Sequence, residues 1–121
     1  MLDVTHMYYV VDRVVEERLR QFDKFGEQNH PDGTLDNRAT HARADGAKAV
    51  CAAASALGTL SWSDILVEEI AEALAETDPV KLEAELIQVA AVAVAWVEAI
   101  RRRPVRRDAP PEAASAPAEG G

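Results

Sequence analysis

The chain has 121 residues, 48% of them apolar, and only two each of Phe, Tyr and Trp, so one domain with a modest core of Ala, Val, Leu and Ile is expected. Its formal net charge of −8 argues against binding a nucleic-acid polymer or an anionic membrane, because both carry negative charge. The start lacks the basic segment of a signal peptide, and the longest apolar run, residues 89–97, is too short to cross a membrane. We therefore expect a cytoplasmic protein.

The first half of the chain predicts two helices joined by a polar loop. Over residues 5–25, apolar side chains recur at spacings that mostly fit one helical face, namely Tyr9, Val10, Val14, Leu19 and Phe22. Gly26 is a suitable C-cap, and Pro31-Asp32-Gly33 has the chemistry of a tight turn. A second helix is predicted over residues 37–57, where small side chains allow close packing, with Gly58 as its C-cap.

The second half predicts two more helices and a tail. Ser61 and Asp64 resemble a capping box that opens a third helix over residues 61–76. Asp78 and Pro79 suit the N-cap and first turn of a fourth helix that runs to about residue 103. The short connection makes these two helices antiparallel. Residues 104–121 contain four prolines and no periodicity, which predicts a disordered tail after an all-α four-helix domain over residues 1–103.

Acidic residues form a stripe along the third helix. At about 100° per residue, Glu68, Glu69, Glu72 and Glu76 fall within one third of its circumference, and no Lys or Arg occurs from Ser61 to Glu76. Such a stripe is usually a solvated face. Like charges at these spacings cost about 0.2–0.5 kcal/mol per pair, however, and Mg²⁺ would relieve that cost because carboxylates at i and i+3 can share it.

The fourth helix brings further polar groups to this stripe. From residue 86 to residue 100 only Gln88 and Glu98 are polar, so most of its circumference should be buried against other helices or another subunit. Glu85 and Gln88 stand at i and i+3 near its start, where the short turn should place them beside the end of the third helix. Alternatively, Gln88 simply forms a hydrogen bond to a neighbouring helix.

Two motifs resemble a known family. EEIAE (residues 68–72) followed by ELIQ (residues 85–88) is similar to the E-E-x-x-E and E-x-x-D signature of MazG-like nucleotide pyrophosphohydrolases, and residues 62–96 and the loop FGEQNHPDGT also look like short MazG-like proteins. The resemblance implies an all-α fold assembled as a homodimer or homotetramer. It also implies Mg²⁺, which Mn²⁺ could replace, and hydrolysis of a nucleoside triphosphate to the monophosphate and pyrophosphate.

The resemblance assigns roles to particular residues. Glu69, Glu72 and Glu85 match metal-ligand positions, and Gln88 stands where the family motif has Asp. Glu68 matches the first acid of the signature, so that Glu68 or Glu72 is the expected general base. Further candidates, chosen by position, are Lys24, Arg43 and Lys48 for the phosphates and Gln28, Asn29 and His30 for a base edge. Alternatively, the three cations are ordinary surface residues and the loop residues only form the turn.

Gln88 also opens an alternative function. An amide oxygen can bind Mg²⁺ but brings no negative charge, so metal affinity and activation of water should both fall. The expected function is a Mg²⁺-dependent nucleoside triphosphate pyrophosphohydrolase that removes unwanted nucleotides. The alternative is a non-catalytic MazG-like module that binds a nucleotide or a protein partner through a weakened metal site.

Overall fold

The computed structural model describes residues 3–104. Within them the chain forms four helices and no strand, which confirms the predicted all-α fold. The helices are α1 (Thr5–Phe25), α2 (Arg38–Leu57), α3 (Trp62–Leu74) and α4 (Pro79–Arg102). Apart from Pro104, the predicted disordered tail lies outside the described residues. No helix in this part of the chain combines the length and apolar character needed to span a membrane.

Side-chain caps define where three of the helices begin. The Asn37 side chain accepts a hydrogen bond from the Thr40 backbone amide, and the Thr40 hydroxyl accepts one from the Asn37 backbone amide. The predicted capping box of Ser61 and Asp64 is present in the same reciprocal form. Asp78 accepts the Lys81 amide at 3.0 Å, immediately before α4. Each cap satisfies backbone N–H groups that have no partner inside the helix, which fixes the first residue of α2, α3 and α4.

The loop between α1 and α2 is tied to the end of α3. The Leu35 amide donates to the Leu74 carbonyl at 3.1 Å, and the Thr40 hydroxyl donates to the Leu35 carbonyl at 2.6 Å. Gly33 has a φ of 74°, which glycine adopts without strain. No backbone hydrogen bond closes the predicted tight turn over residues 31–33. The loop is thus held by Leu35 and Thr40.

The helices pack in the spatial order α1, α4, α3, α2. Each helix contacts only its neighbour in this row, so among the described helices α2 touches neither α1 nor α4, and α1 does not touch α3. Trp62 at the start of α3 and Trp96 in the C-terminal half of α4 line the same groove. The two helices therefore run antiparallel, as their short connection predicts.

The core inside one copy is small. Its apolar members are Val10, Ala71, Ala73, Ala75 and Leu82. Three of the five are alanines in or just after α3, where small side chains let α2 and α4 approach closely. The predicted Ala-rich packing is therefore present, although few large side chains take part in it.

Several large apolar residues that the patterns assign to buried faces are exposed. On α1 only Val10 of the predicted face is buried, whereas Leu19 and Phe22 are 64% and 58% exposed. Leu19 follows Val10 by nine residues and therefore lies on the opposite side of the helix. On α3, Ile70 and Leu74 belong with Ala73 to an apolar stripe, yet they are 38% and 44% exposed, because alanines occupy the positions that contact the neighbouring helices.

Within one copy the other helices bury only part of α4, so the predicted burial of most of its circumference would require another subunit. Only Leu82 is buried on α4, while Leu86, Ile87 and Ile100 are 51%, 64% and 46% exposed. The reason is geometric, since only two helices, α1 and α3, contact α4. A helix with two neighbours leaves a large part of its surface uncovered.

Candidate metal centre

Polar side chains from α3 and α4 line one groove of about 400 Å³. Glu69 and Glu72 stand one turn apart on α3, and Glu85 and Gln88 stand one turn apart on α4, so each pair points to the same side of its helix. The antiparallel packing of the two helices brings the pairs together across the groove, which Ala84 completes. These four residues occupy the metal-binding positions that the family resemblance implies.

Three carboxylates in this groove lie close enough to share one cation. One oxygen from each of Glu69, Glu72 and Glu85 lies within 4.8 Å of the other two, and all three side chains are half-buried. Among residues 3–104 this is the only such group of three or more His, Cys, Asp or Glu side chains. An all-oxygen, acidic donor set suits a hard divalent cation such as Mg²⁺ or Mn²⁺.

The electrostatics of the groove disfavour three ionised carboxylates without a cation. Burial raises the pKa of Glu69, and the nearby charges of Glu85 and Glu68 raise it further. Burial likewise raises the pKa of Glu72, together with the charges of Glu69, Glu85 and Glu68. A divalent cation would reverse both effects, since it favours the ionised form of its ligands.

These raised pKa values predict a pH-dependent stability. Both groups have an ordinary pKa of 4.5, so just above that pH the folded chain binds more protons than the unfolded chain. The free energy of unfolding should therefore fall as the pH rises through this window. In thermal melts with EDTA, Glu69→Gln/Glu72→Gln should stabilise the protein more at about pH 7.5 than at about pH 5.

Adding Mg²⁺ at the higher pH should remove most of this advantage, because only the wild-type groove gains from the cation. An advantage equal at both pH values would show that folding does not raise the pKa of these two carboxylates. An advantage that Mg²⁺ leaves unchanged would show that the groove does not bind it. The comparison with the double variant cancels the titration of groups elsewhere in the chain.

Glu68 lies beside Cys51 of α2, and the sequence pattern does not predict this contact between α2 and α3. The Cys51 thiol donates a hydrogen bond to the Asp64 carbonyl at 3.1 Å. The neighbouring Glu68 carboxylate, burial, and the charges of Asp64 and Glu69 raise the pKa of Cys51 to about 11. Cys51 is therefore a protonated, weakly nucleophilic thiol near neutral pH. Cys51 lies seven residues after Ala44 and four after Ala47, so the three share one face of α2. Ala44 and Ala47 are also half-buried, and this face is the one that contacts α3.

Two other acids near the groove have different roles or positions. The Glu76 carboxylate accepts the Asp78 amide at 3.0 Å, which holds it at the connection between α3 and α4. Glu83 is exposed and does not line the groove. Neither residue is placed to replace the negative charge that Gln88 lacks.

The six candidates for binding phosphate or base do not line the acidic groove. Lys24 lies over the ring of Phe25, 5.1 Å from its centroid. The Gln28 amide lies 3.3 Å from the His30 ring, and the Asn29 amide donates to Glu27 at 2.9 Å. Arg43 and Lys48 are exposed on α2. The structure thus places these residues at the end of α1, in the following loop and on α2.

The arginines at the end of α4 also contact α1. The Arg101 guanidinium lies 3.9 Å from the centroid of the Tyr9 ring, and that of Arg13 lies 5.8 Å from the same centroid. Such cation–π contacts hold helices together. The local sequence pattern does not predict this contact, because Tyr9 and Arg101 are 92 positions apart. Arg106 and Arg107 lie outside the described residues.

The chain was compared with family models, curated proteins and solved structures. No family model, no curated protein and no solved structure matches this chain.

Proposed function

We propose that this protein is a Mg²⁺-dependent nucleoside triphosphate pyrophosphohydrolase of the MazG-like type. The observation that carries the proposal is the half-buried group of three carboxylates from two helices, with oxygens within 4.8 Å of one another. The motif resemblance described above supports the same reading. We further propose that the protein forms a homodimer or homotetramer, because many of its large apolar side chains are exposed in one copy. We propose the cytoplasm as its location.

In this proposal Glu69, Glu72 and Glu85 hold the cation, and the Gln88 amide oxygen adds a neutral ligand. The bound Mg²⁺ would polarise the phosphate oxygens and offset their charge. Glu68 or Glu72 accepts the proton of the attacking water. Bound Mg²⁺ would favour the ionised form of Glu72, and an ionised carboxylate can accept a proton at neutral pH.

The remaining candidates are proposed to bind the nucleotide outside the metal groove. Lys24, Arg43 and Lys48 can neutralise phosphate oxygens, and Gln28, Asn29 and His30 can form hydrogen bonds with a base edge. Because these six residues do not line the acidic groove, the proposal requires the nucleotide to extend beyond it.

Release of pyrophosphate tests the enzymatic proposal directly. The purified chain is incubated with a panel of canonical and modified nucleoside triphosphates, with Mg²⁺ or with EDTA. We expect at least one substrate to yield the monophosphate and pyrophosphate only when Mg²⁺ is present. Folded, helical protein that releases no pyrophosphate from any member of the panel would contradict the proposal.

A second candidate function is binding without hydrolysis, and Gln88 is the observation that favours it. Gln88 lines the groove where a fourth carboxylate would strengthen metal binding. Gln88→Asp separates the two functions. In a non-catalytic module the variant should bind Mg²⁺ about tenfold tighter or more and gain hydrolysis, whereas in a working enzyme built around the amide it should lose activity. Calorimetry with Mg²⁺ and the pyrophosphate assay measure the two effects.

A further inference from the structure

One side of α1 carries six large apolar side chains that nothing in the described chain covers. They lie within about one third of the helix circumference, on a side turned away from Val10, which is buried where α1 meets α4. The six are Tyr8, Val11, Val15, Leu19, Phe22 and Phe25, with exposed fractions from 40% to 64%. We refer to these six residues as the outer face of α1.

The rest of this chain has little with which to cover that face. Neither α2 nor α3 contacts α1. The residues outside the described part, 1–2 and 105–121, contain only Met1, Leu2 and Val105 as large apolar side chains. Three such residues cannot bury six that extend along a helix about 31 Å long. The partner must bring an apolar surface of comparable length.

We infer that a second copy of this chain covers the outer face of α1. A fully covered aromatic side chain buries roughly 150–250 Å², so the six half-exposed side chains would together bury about 600 Å² per copy. Two copies would then bury about 1,200 Å², which reaches the lower end of specific protein–protein interfaces. In a two-fold dimer the same residues serve both copies, so every favourable contact is made twice.

Charge distinguishes the outer face of α1 from the exposed apolar side chains of α4. Arg18 is the one charged residue that lies within the third of the α1 circumference occupied by the outer face, and no acidic residue lies there. On α4, the exposed Leu86 and Ile87 adjoin Glu85 and Gln88 of the acidic groove. A two-fold contact there would bring two acidic grooves together. In a chain with a net charge of −8, that contact is disfavoured.

This inference rests on the proposed self-association and does not depend on catalysis. Its test is the mass of the full chain in solution, measured by sedimentation over a range of concentrations. The wild type should sediment at twice the 13.1 kDa of one chain or a higher multiple. Leu19→Glu should weaken association about a hundredfold or more, because it places a charge within an apolar interface in both copies.

Val50→Glu and Ile87→Glu are the matched controls, since these residues are 54% and 64% exposed on α2 and α4. Both variants should keep the wild-type mass. A wild type that stays monomeric would overturn self-association and the inference together. Dissociation by Ile87→Glu with an unchanged Leu19→Glu would leave self-association intact and overturn only the assignment to α1.

If Leu19→Glu does not fold, hydrogen exchange of the wild-type protein tests the same interface without a substitution. Amides of α1 should exchange more slowly at concentrations above the dissociation constant than below it, because the dimer opposes local opening of that helix. Amides of α2 should change less. Equal protection of α1 at both concentrations would overturn the inference.

Discussion

Glu72→Gln is expected to lower Mg²⁺-dependent pyrophosphate release by at least about a hundredfold, the scale of losing a positioned general base. The glutamine keeps the shape of the side chain but removes a negative charge from the group formed with Glu69 and Glu85. Both proposed roles of Glu72, in holding the cation and in accepting a proton, need the carboxylate. The rate is measured at saturating nucleotide and increasing Mg²⁺.

The same substitution should stabilise the protein when no metal is present. Because burial and neighbouring acids raise the pKa of Glu72, its ionised form costs stability at neutral pH, and glutamine removes that cost. Loss of activity with a gain in the melting temperature would separate a functional role from simple unfolding. Glu83→Gln is the control, since Glu83 is exposed on α4. A similar loss of activity in both variants would contradict a specific role for Glu72.

Leu82→Ala is expected to have the largest effect on stability, about 3 kcal/mol of unfolding free energy. Leu82 is 7% exposed, and it is the largest of the five buried apolar residues. A small domain has roughly 5–15 kcal/mol of stability in total, so this loss is a large share of it. Urea denaturation followed by circular dichroism measures the change.

Leu86→Ala is the matched control, because Leu86 lies one turn further along the same helix and is 51% exposed. The same atoms are removed from both positions, so helix propensity and composition change equally. We expect a markedly smaller loss for Leu86→Ala. Equal losses at the two positions would mean that Leu82 does not act as a core residue.

The helix boundaries follow closely from the sequence because local chemistry determines them. Ser61 and Asp78 cap the starts of α3 and α4 as predicted, and Asn37 caps the start of α2. Gly58 ends α2 with a φ of 73°, a conformation that suits glycine. Each of these signals acts over a few residues, so it can be recognised without knowing what the helix packs against.

The carboxylate group could also be anticipated, since it needs only one tertiary fact. Residues at i and i+3 share a face of each helix, and the short connection between Leu74 and Pro79 makes α3 and α4 antiparallel. Together these bring Glu69 and Glu72 beside Glu85. Whether a cation binds there is a matter of energetics that the spacing does not determine.

The buried faces were harder to predict because they depend on which helices are neighbours. The apolar pattern of α1 does not distinguish a side that packs on α4 from a side that meets solvent or another copy, so it groups Leu19 and Phe22 with Val10. The positions of Cys51 beside Glu68 and of Arg101 over Tyr9 likewise depend on pairing between distant segments. The periodicity within one helix does not predict contacts of this kind.

The row-like order of the helices has a consequence for how the chain folds. Contacts between α2 and α3 and between α3 and α4 join segments adjacent in sequence, so closing them costs little loop entropy. Docking α1 on α4 joins the two ends of the described chain and must close a loop that contains α2 and α3. We therefore expect α2, α3 and α4 to assemble first and α1 to dock afterwards.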